Sequence, residues 1–177
     1  MPLELKPFRL PSKWSSQSGR DENSPRLYLN NSLGLDLPIG GGWGYSKDDC
    51  VVIDKNDPTV NAKLPFEGTQ VEYTFVEKRI YAELIVFRQR GDQFSGIEWN
   101  MSLQKLQDID NRKFDVLDFR VSALTDRDWE FLKRDWEKND GYKDDEDGAK
   151  RHLDDRDLRT CFYDTQFWFD ITSFYGR

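Results

Sequence analysis

Several segments of the chain alternate apolar and polar residues, which is the pattern of a β-strand with one buried face. One of them, "LGLDLPI", contains Pro38, and a proline favours the edge or the end of a strand. A short apolar run, "CVVID", predicts a buried strand that is followed by turn residues at 55–58. The strands predicted in this way span residues 33–39, 50–54, 70–77, 97–103, 117–123 and 167–171.

Two of these strands, 97–103 and 117–123, are separated by the polar loop "DIDNRK" and predict an antiparallel hairpin or meander. Residues 78–88 fit two patterns. Ile80 and Leu84 have the spacing of a helical face, but the segment could equally be a strand paired with 70–77. The sequence leaves both alternatives open for 78–88.

The clearest helix signal lies at 125–139. Thr125 is a favourable N-cap, and the aspartates of the first turn complement the helix dipole. An apolar stripe at helical spacing predicts the buried side of this helix. Its members are Trp129, Leu132 and Trp136. A second helix at 146–159 has a thinner apolar side, formed by Ala149 and Leu153.

Strands that come first, helices that come late and a terminal strand together predict an α+β fold. We expect a largely antiparallel sheet, with two helices in the C-terminal third packed against it. The chain of 177 residues has the length of one domain. Residues 1–26 are rich in Pro, Ser and charge and predict a loose N-terminal arm, so that 27–177 form a single globular domain.

The net charge of −7 favours basic partners and disfavours nucleic acid, whose binding needs a basic surface. Residues 125–159 carry 13 acidic and 9 basic side chains, a local net charge of −4. Solubility alone explains such a charge equally well. The longest apolar run has four residues, "LIVF", whereas a membrane span needs about 20. We therefore expect a cytoplasmic protein without a membrane partner and with reduced, buried cysteines.

The loop "PIGGGWGYSKDDC" contains glycines 40–42 and Gly44. It lacks the order of Gly, Lys and Ser that a phosphate-binding loop requires, and it leads into a strand instead of a helix. Two interpretations remain. The loop is a tight turn that needs positive φ angles, or it is a recognition loop that presents Trp43 and Tyr45 to a partner.

Clustered carboxylates are the other candidate for function. Asp48 and Asp49 lie at the end of the glycine loop, and a second cluster lies at the start of the second predicted helix. The members of this second cluster are Asp144, Asp145, Glu146 and Asp147. Their spacing does not match a calcium loop, and the single histidine, His152, excludes two-histidine zinc sites. We therefore expect no metal site or catalytic residue, and we interpret both clusters as acidic docking surfaces or as solvated loops.

Four segments, "GGGWGYSKDDCVVIDKNDP", "VEKRIYAELIVFR", "FSGIEWN" and "FWFDITSFYG", carry a resemblance to known proteins. Over residues 40–177 the chain resembles small cytoplasmic bacterial proteins of polymorphic-toxin and contact-dependent growth-inhibition loci. The resemblance implies an immunity protein that is not an enzyme, needs no cofactor and neutralises a toxin domain. It carries no functional residues with it.

Because many toxin domains are basic nucleases, the expected partner is a basic toxin C-terminal domain. Two alternatives stay open. One is a metal-dependent hydrolase that uses the clustered carboxylates. The other is a small carbohydrate- or peptide-binding module that uses Trp43, Tyr45 and Trp99.

Overall fold

A computed structural model describes residues 3–5, 9–10 and 24–176 of the chain. The strands and helices of these residues alternate irregularly along the sequence. In chain order they are β1 (Leu3–Glu4), α1 (Pro25–Leu33), β2 (Ile39–Gly41), β3 (Val51–Ile53), α2 (Gly68–Tyr81), β4 (Phe94–Ile109), β5 (Arg112–Thr125), α3 (Asp126–Lys138), α4 (Glu146–Arg159) and β6 (Cys161–Asp170).

The strands form one sheet in the order β2-β3-β6-β5-β4, and β1 also pairs with β6. The pairs β2–β3, β4–β5 and β5–β6 are antiparallel, whereas β1 and β3 run parallel to β6. The predicted α+β fold with a largely antiparallel sheet and two helices in the C-terminal third is therefore confirmed.

The β4–β5 hairpin is also confirmed, and it is longer than its apolar pattern indicated. Only Asp110 and Asn111 separate the two strands, and both have positive φ angles, 52° and 62°. Asp and Asn tolerate this left-handed conformation better than most residues, and a two-residue turn of this kind matches the twist of the paired strands.

The strand predicted at 33–39 is wrong, because most of this segment connects α1 to β2. Helix α1 begins where the Ser24 hydroxyl accepts a hydrogen bond from the Leu27 N–H, with Pro25 in the first turn. It ends at Gly34, which has a left-handed conformation. The alternation of leucines from position 33 onward therefore spans a helix end and a loop. Ser24 followed by Pro25 is a helix-start signal, and here it was more informative than the alternation.

The strand predicted at 70–77 is wrong as well, since these residues lie within α2. Val71 and Phe75 are buried, but Tyr73 between them is exposed. The buried positions thus follow the helical i, i+4 spacing, which a short alternating run imitates. For 78–88 the helical alternative is correct: α2 runs to Tyr81 and continues as a π-helical turn over Ala82–Val86.

The predicted arm, residues 1–26, is described only in part. The Leu5 N–H donates a hydrogen bond to the Phe162 carbonyl oxygen at 2.8 Å, next to β1. Leu10 is buried in the core, and Ser24 and Pro25 begin α1. Residues 1–2, 6–8 and 11–23 of the arm lie outside the described residues.

The main core lies on the face of the sheet that α2 covers, where aromatic rings of the helix and the strands pack edge to face. Phe75 of α2 contacts Phe169 of β6 with ring centroids 5.9 Å apart. On the opposite face, α3 and α4 cover one end of the sheet, beside Leu124. Cys50 and Cys161 are free and buried, as the sequence predicts.

Candidate functional site

The glycine loop is a tight turn between β2 and β3. Gly41 and Gly44 have φ angles of +78° and +80°, and a Cβ atom on Gly41 would overlap the carbonyl oxygen of Cys50. The Gly42 N–H donates to that oxygen at 2.9 Å. The positive φ angles and this close approach explain why glycine occupies the turn.

The aromatic residues of the loop face inward. Trp43 is only 3% exposed, and its ring centroid lies 6.0 Å from that of Phe75. The Tyr45 hydroxyl is partly buried and accepts a hydrogen bond from the Leu10 N–H at 2.9 Å. The structure therefore agrees with the first interpretation, in which the loop is a tight turn. Trp99, the third ring of the carbohydrate-binding alternative, packs edge to face on Tyr81.

Arg79 of α2 lies under this loop and is completely buried. Its guanidinium donates to the Trp43 carbonyl oxygen at 2.9 Å, and to Thr165 Oγ1 at 2.7 Å and the Gln166 carbonyl oxygen at 2.9 Å. The guanidinium carbon lies 3.4 Å from the ring centroid of Phe167. Arg79 thus ties α2 to the glycine loop and to β6.

Glu83, in the π-helical turn, balances the charge of Arg79. Its Oε1 lies 3.2 Å from Arg79 Nε and accepts the Tyr45 hydroxyl at 2.6 Å, and its Oε2 accepts the Tyr163 hydroxyl at 2.9 Å. Burial raises the pKa of both phenols, and the nearby Glu83 carboxylate raises it further, so both hydroxyls stay protonated and donate. Burial also lowers the pKa of Arg79. We call these four side chains the Arg79 network, and both oxygens of its carboxylate already have donors.

The acidic segments are on the surface and lie on different elements. Asp48 is exposed in a short 3₁₀ turn, while Asp49 is half-buried and accepts a hydrogen bond from the Tyr45 N–H. Asp145 caps α4 by accepting the Gly148 N–H at 2.8 Å. Asp144, Glu146 and Asp147 are exposed beside it. In the part of the chain that the structure describes, no three His, Cys, Asp or Glu side chains form a group that could hold a metal ion.

An apolar groove of about 310 Å³ lies between α3, α4 and the end of β5, and we call it the α3–α4 groove. The residues that line it are Leu124, Trp129, Leu132, Lys133, Trp136, His152, Leu153 and Arg156. The expectation that the apolar stripe of α3 is buried is correct only for Leu132. Trp129 is 37% and Trp136 44% exposed, because α4 offers few apolar side chains to cover them.

His152 forms part of the wall of this groove and connects α4 to α3. Its Nδ1 lies 2.8 Å from Asp135 Oδ2, and the Tyr142 hydroxyl donates to the same oxygen at 2.6 Å. These hydrogen bonds, that of Tyr142 first, hold the pKa of Asp135 below its ordinary value. The His152 ring packs against Trp136 and Tyr142, at centroid distances of 5.2 and 5.6 Å. The packing of His152 on these two rings thus holds α4 against α3 at the wall of the groove.

Sequence reasoning missed a pair of buried carboxyl groups, Glu72 on α2 and Asp115 on β5. Burial raises the pKa of Glu72 to about 8, and the charge of Asp115 adds to this effect. Burial raises the pKa of Asp115 too, although Gln104 Nε2 donates to its Oδ2 at 2.6 Å and opposes the shift. Extending the alternation of β5 back from Leu117 would have placed Asp115 on the buried face.

Comparison with known proteins gives no further guidance: no family model, curated protein or solved structure matches the chain. Among the described helices, none combines the length and the apolar character that crossing a bilayer requires. One accessible apolar feature is the α3–α4 groove.

Proposed function

We propose that the protein is a non-catalytic binding protein: a cytoplasmic immunity protein that binds and neutralises a basic toxin domain. The observation that supports this proposal best is the α3–α4 groove, which leaves two tryptophan rings partly open to solvent on a chain with a net charge of −7. The resemblance of residues 40–177 to immunity proteins supplies the class of partner.

The groove has the composition of a binding hot spot. Trp129 and Trp136 stand on α3, which the buried groove residue Leu132 anchors, so we expect their positions to be set before a partner arrives. Tryptophan is enriched among residues that dominate binding energy, and a preformed site loses little side-chain entropy on association. An apolar side chain of the partner would fill the space between the rings and Leu153.

The charged side chains that line the groove are Lys133 and Arg156, and exposed carboxylates stand at the start of α4. Arg156 on its rim is paired with Glu98, at 3.1 Å between Nη2 and Oε1. At the start of α4, Asp144, Glu146 and Asp147 are exposed. With a net charge of −7 on the chain, these carboxylates attract a basic protein during its approach, and this attraction weakens as salt increases.

The proposal requires a toxin domain encoded next to the gene of this protein, and co-expression with that domain is the test. We expect the wild-type chain to restore growth and to bind the purified domain in calorimetry. Trp136→Ala should weaken binding by about tenfold or more. Phe131→Ala is the matched control, because this exposed aromatic residue of α3 does not line the groove.

The charge contribution is measured separately. Reversal of Asp144, Glu146 and Asp147 to lysine should slow association by about tenfold at low salt and leave dissociation nearly unchanged. A neighbouring toxin domain that neither binds the protein nor loses its toxicity would contradict the proposal. Equal effects of Trp136→Ala and Phe131→Ala would contradict the assignment of the groove.

A further inference from the structure

The outer edge of β4 is a second accessible surface. This strand has 16 residues and is the last in the sheet order, and among the described residues no strand pairs with its outer edge. Residues 100–106 are exposed, and they include Met101, Leu103 and Leu106. A long edge with apolar side chains and unpaired backbone groups is a template for another strand.

A bulge in the middle of β4 determines which side chains share a face. The register with β5 shifts by one residue between Met101 and Leu103. Because side chains alternate along a strand, this shift places Glu98 and Lys105 on the same face although their numbers differ in parity. Ile97 and Leu106 both lie on the opposite face, which is the one that α2 covers.

We infer that a second copy of this chain pairs antiparallel with the outer edge of β4, about a two-fold axis between Met101 and Ser102. In this register Glu98 lies opposite Lys105 of the second copy, and the symmetry repeats the pair. Ile97 likewise lies opposite Leu106 of the second copy. A symmetric interface thereby gains two ion pairs and two apolar pairs from one strand.

Neighbouring registers lack this match. Moving the second copy by one residue along the edge would place Glu98 opposite Gln104 or Leu106, whose side chains point to the other face. A shift by two keeps the faces but places Glu98 opposite Leu103 or Gln107, so that both ion pairs are lost. Charge complementarity therefore selects one register among those that the edge allows.

The charges next to this edge support the same pairing. Within one copy, Glu98 pairs with Arg156 at 3.1 Å, and Lys105 Nζ lies 3.6 Å from Asp118 Oδ2. In the dimer, positive and negative groups would alternate across the boundary. Since exposed ion pairs each contribute little, we expect a concentration-dependent dimer. This proposal is independent of the proposed function, because it concerns only contact between two copies.

Sedimentation velocity of the full chain over a range of concentrations tests the inference. We expect a reversible dimer. Glu98→Lys and Lys105→Glu should each raise its dissociation constant by about tenfold or more, because each places like charges opposite one another twice. The double variant E98K/K105E should restore the dimer to within about threefold of wild type. Lys63→Glu, an exchange at an exposed loop position, is the matched control.

Hydrogen exchange of the wild-type chain provides a readout that needs no variant. Amide protection over 97–106 should increase as the dimer forms. A chain that remains monomeric up to about 1 mM would overturn the inference. Unchanged dissociation constants in both single variants would also overturn it. The same holds if the double variant stays monomeric while its circular dichroism shows a folded protein.

Discussion

The Arg79 network and the α3–α4 groove use similar residue types in opposite ways. Around Arg79, aromatic rings, phenol hydroxyls and backbone carbonyl groups surround a buried charge. In the groove, aromatic rings and a histidine pack beside one another, but two tryptophans stay partly exposed. The charges and phenol hydroxyls of the first region pair within the chain, whereas the second region retains apolar surface that another molecule could cover.

This difference indicates where function is to be sought. Burying a charge is unfavourable unless its hydrogen bonds are made, so the Arg79 network must be complete before the fold is stable. Exposed apolar surface is tolerated in a folded chain, and it gains free energy only when a partner covers it. Substitutions should therefore affect stability strongly in the network and binding strongly in the groove.

The largest loss of stability is expected for Glu83→Ala. The variant leaves Arg79 buried without its counterion and removes the acceptor of two phenol hydroxyls. We expect the free energy of unfolding to fall by about 5 kcal/mol, the upper end for a broken buried pair. Urea denaturation measures this loss, with Glu77→Ala on the exposed side of α2 as the control. A loss below about 1 kcal/mol would show that the network is not a stabilising unit.

The next effect depends on pH and concerns Glu72. Its folded-state pKa of about 8 lies above the ordinary value of 4.5, so the folded chain holds this proton more tightly than the unfolded chain. Stability should therefore fall as the pH rises from about 4.5 to 8, by up to about 4 kcal/mol from this group. Glu72→Gln should flatten this slope and raise the free energy of unfolding at pH 8.

Urea denaturation at several pH values tests this expectation. Glu77→Gln is the matched control, because Glu77 lies on the same helix with its side chain partly open to solvent. Identical slopes in wild type and Glu72→Gln would contradict the raised pKa of Glu72. A slope that flattens only in Glu72→Gln would confirm it.

The smallest effect is expected within the groove. Leu132→Ala should cost about 2–3 kcal/mol, because it leaves a cavity beneath α3. Trp136→Ala should cost only about 1 kcal/mol, since the ring already contacts solvent and loses mainly its packing on His152 and Tyr142. Thermal unfolding of the two variants compares them directly. A larger loss for Trp136→Ala would mean that this residue serves the core and not a partner.

Local signals account for the parts of the fold that the sequence predicted. Thr125 begins α3, its hydroxyl accepting the Asp128 N–H as an N-cap should. The alternation of β5 and β6 places Leu117 and Phe167 in the core, directly opposite one another. Such patterns are informative because the cap and the strand period depend on a few neighbouring residues.

The same reasoning failed for α1 and α2, where short apolar runs fit two periods. It also failed to find Arg79 and Glu72, whose charges would place them at the surface by residue type alone. Their burial depends on partners far away in the sequence. Arg79, for example, bonds Trp43 and Thr165, which lie 36 and 86 residues from it.

The sequence by itself determined the α+β class, the β4–β5 hairpin, the two late helices and the acidic character of the chain. Only the tertiary structure decided that Trp43 is buried while Trp136 is exposed. Trp43 stands between two glycines and Trp136 between Asp135 and Glu137, but the sequence left the exposure of Trp43 open and predicted that Trp136 is buried. Burial is set by which distant elements fill the space around a side chain: α2 covers the glycine loop, whereas α4 has too few apolar residues to cover α3.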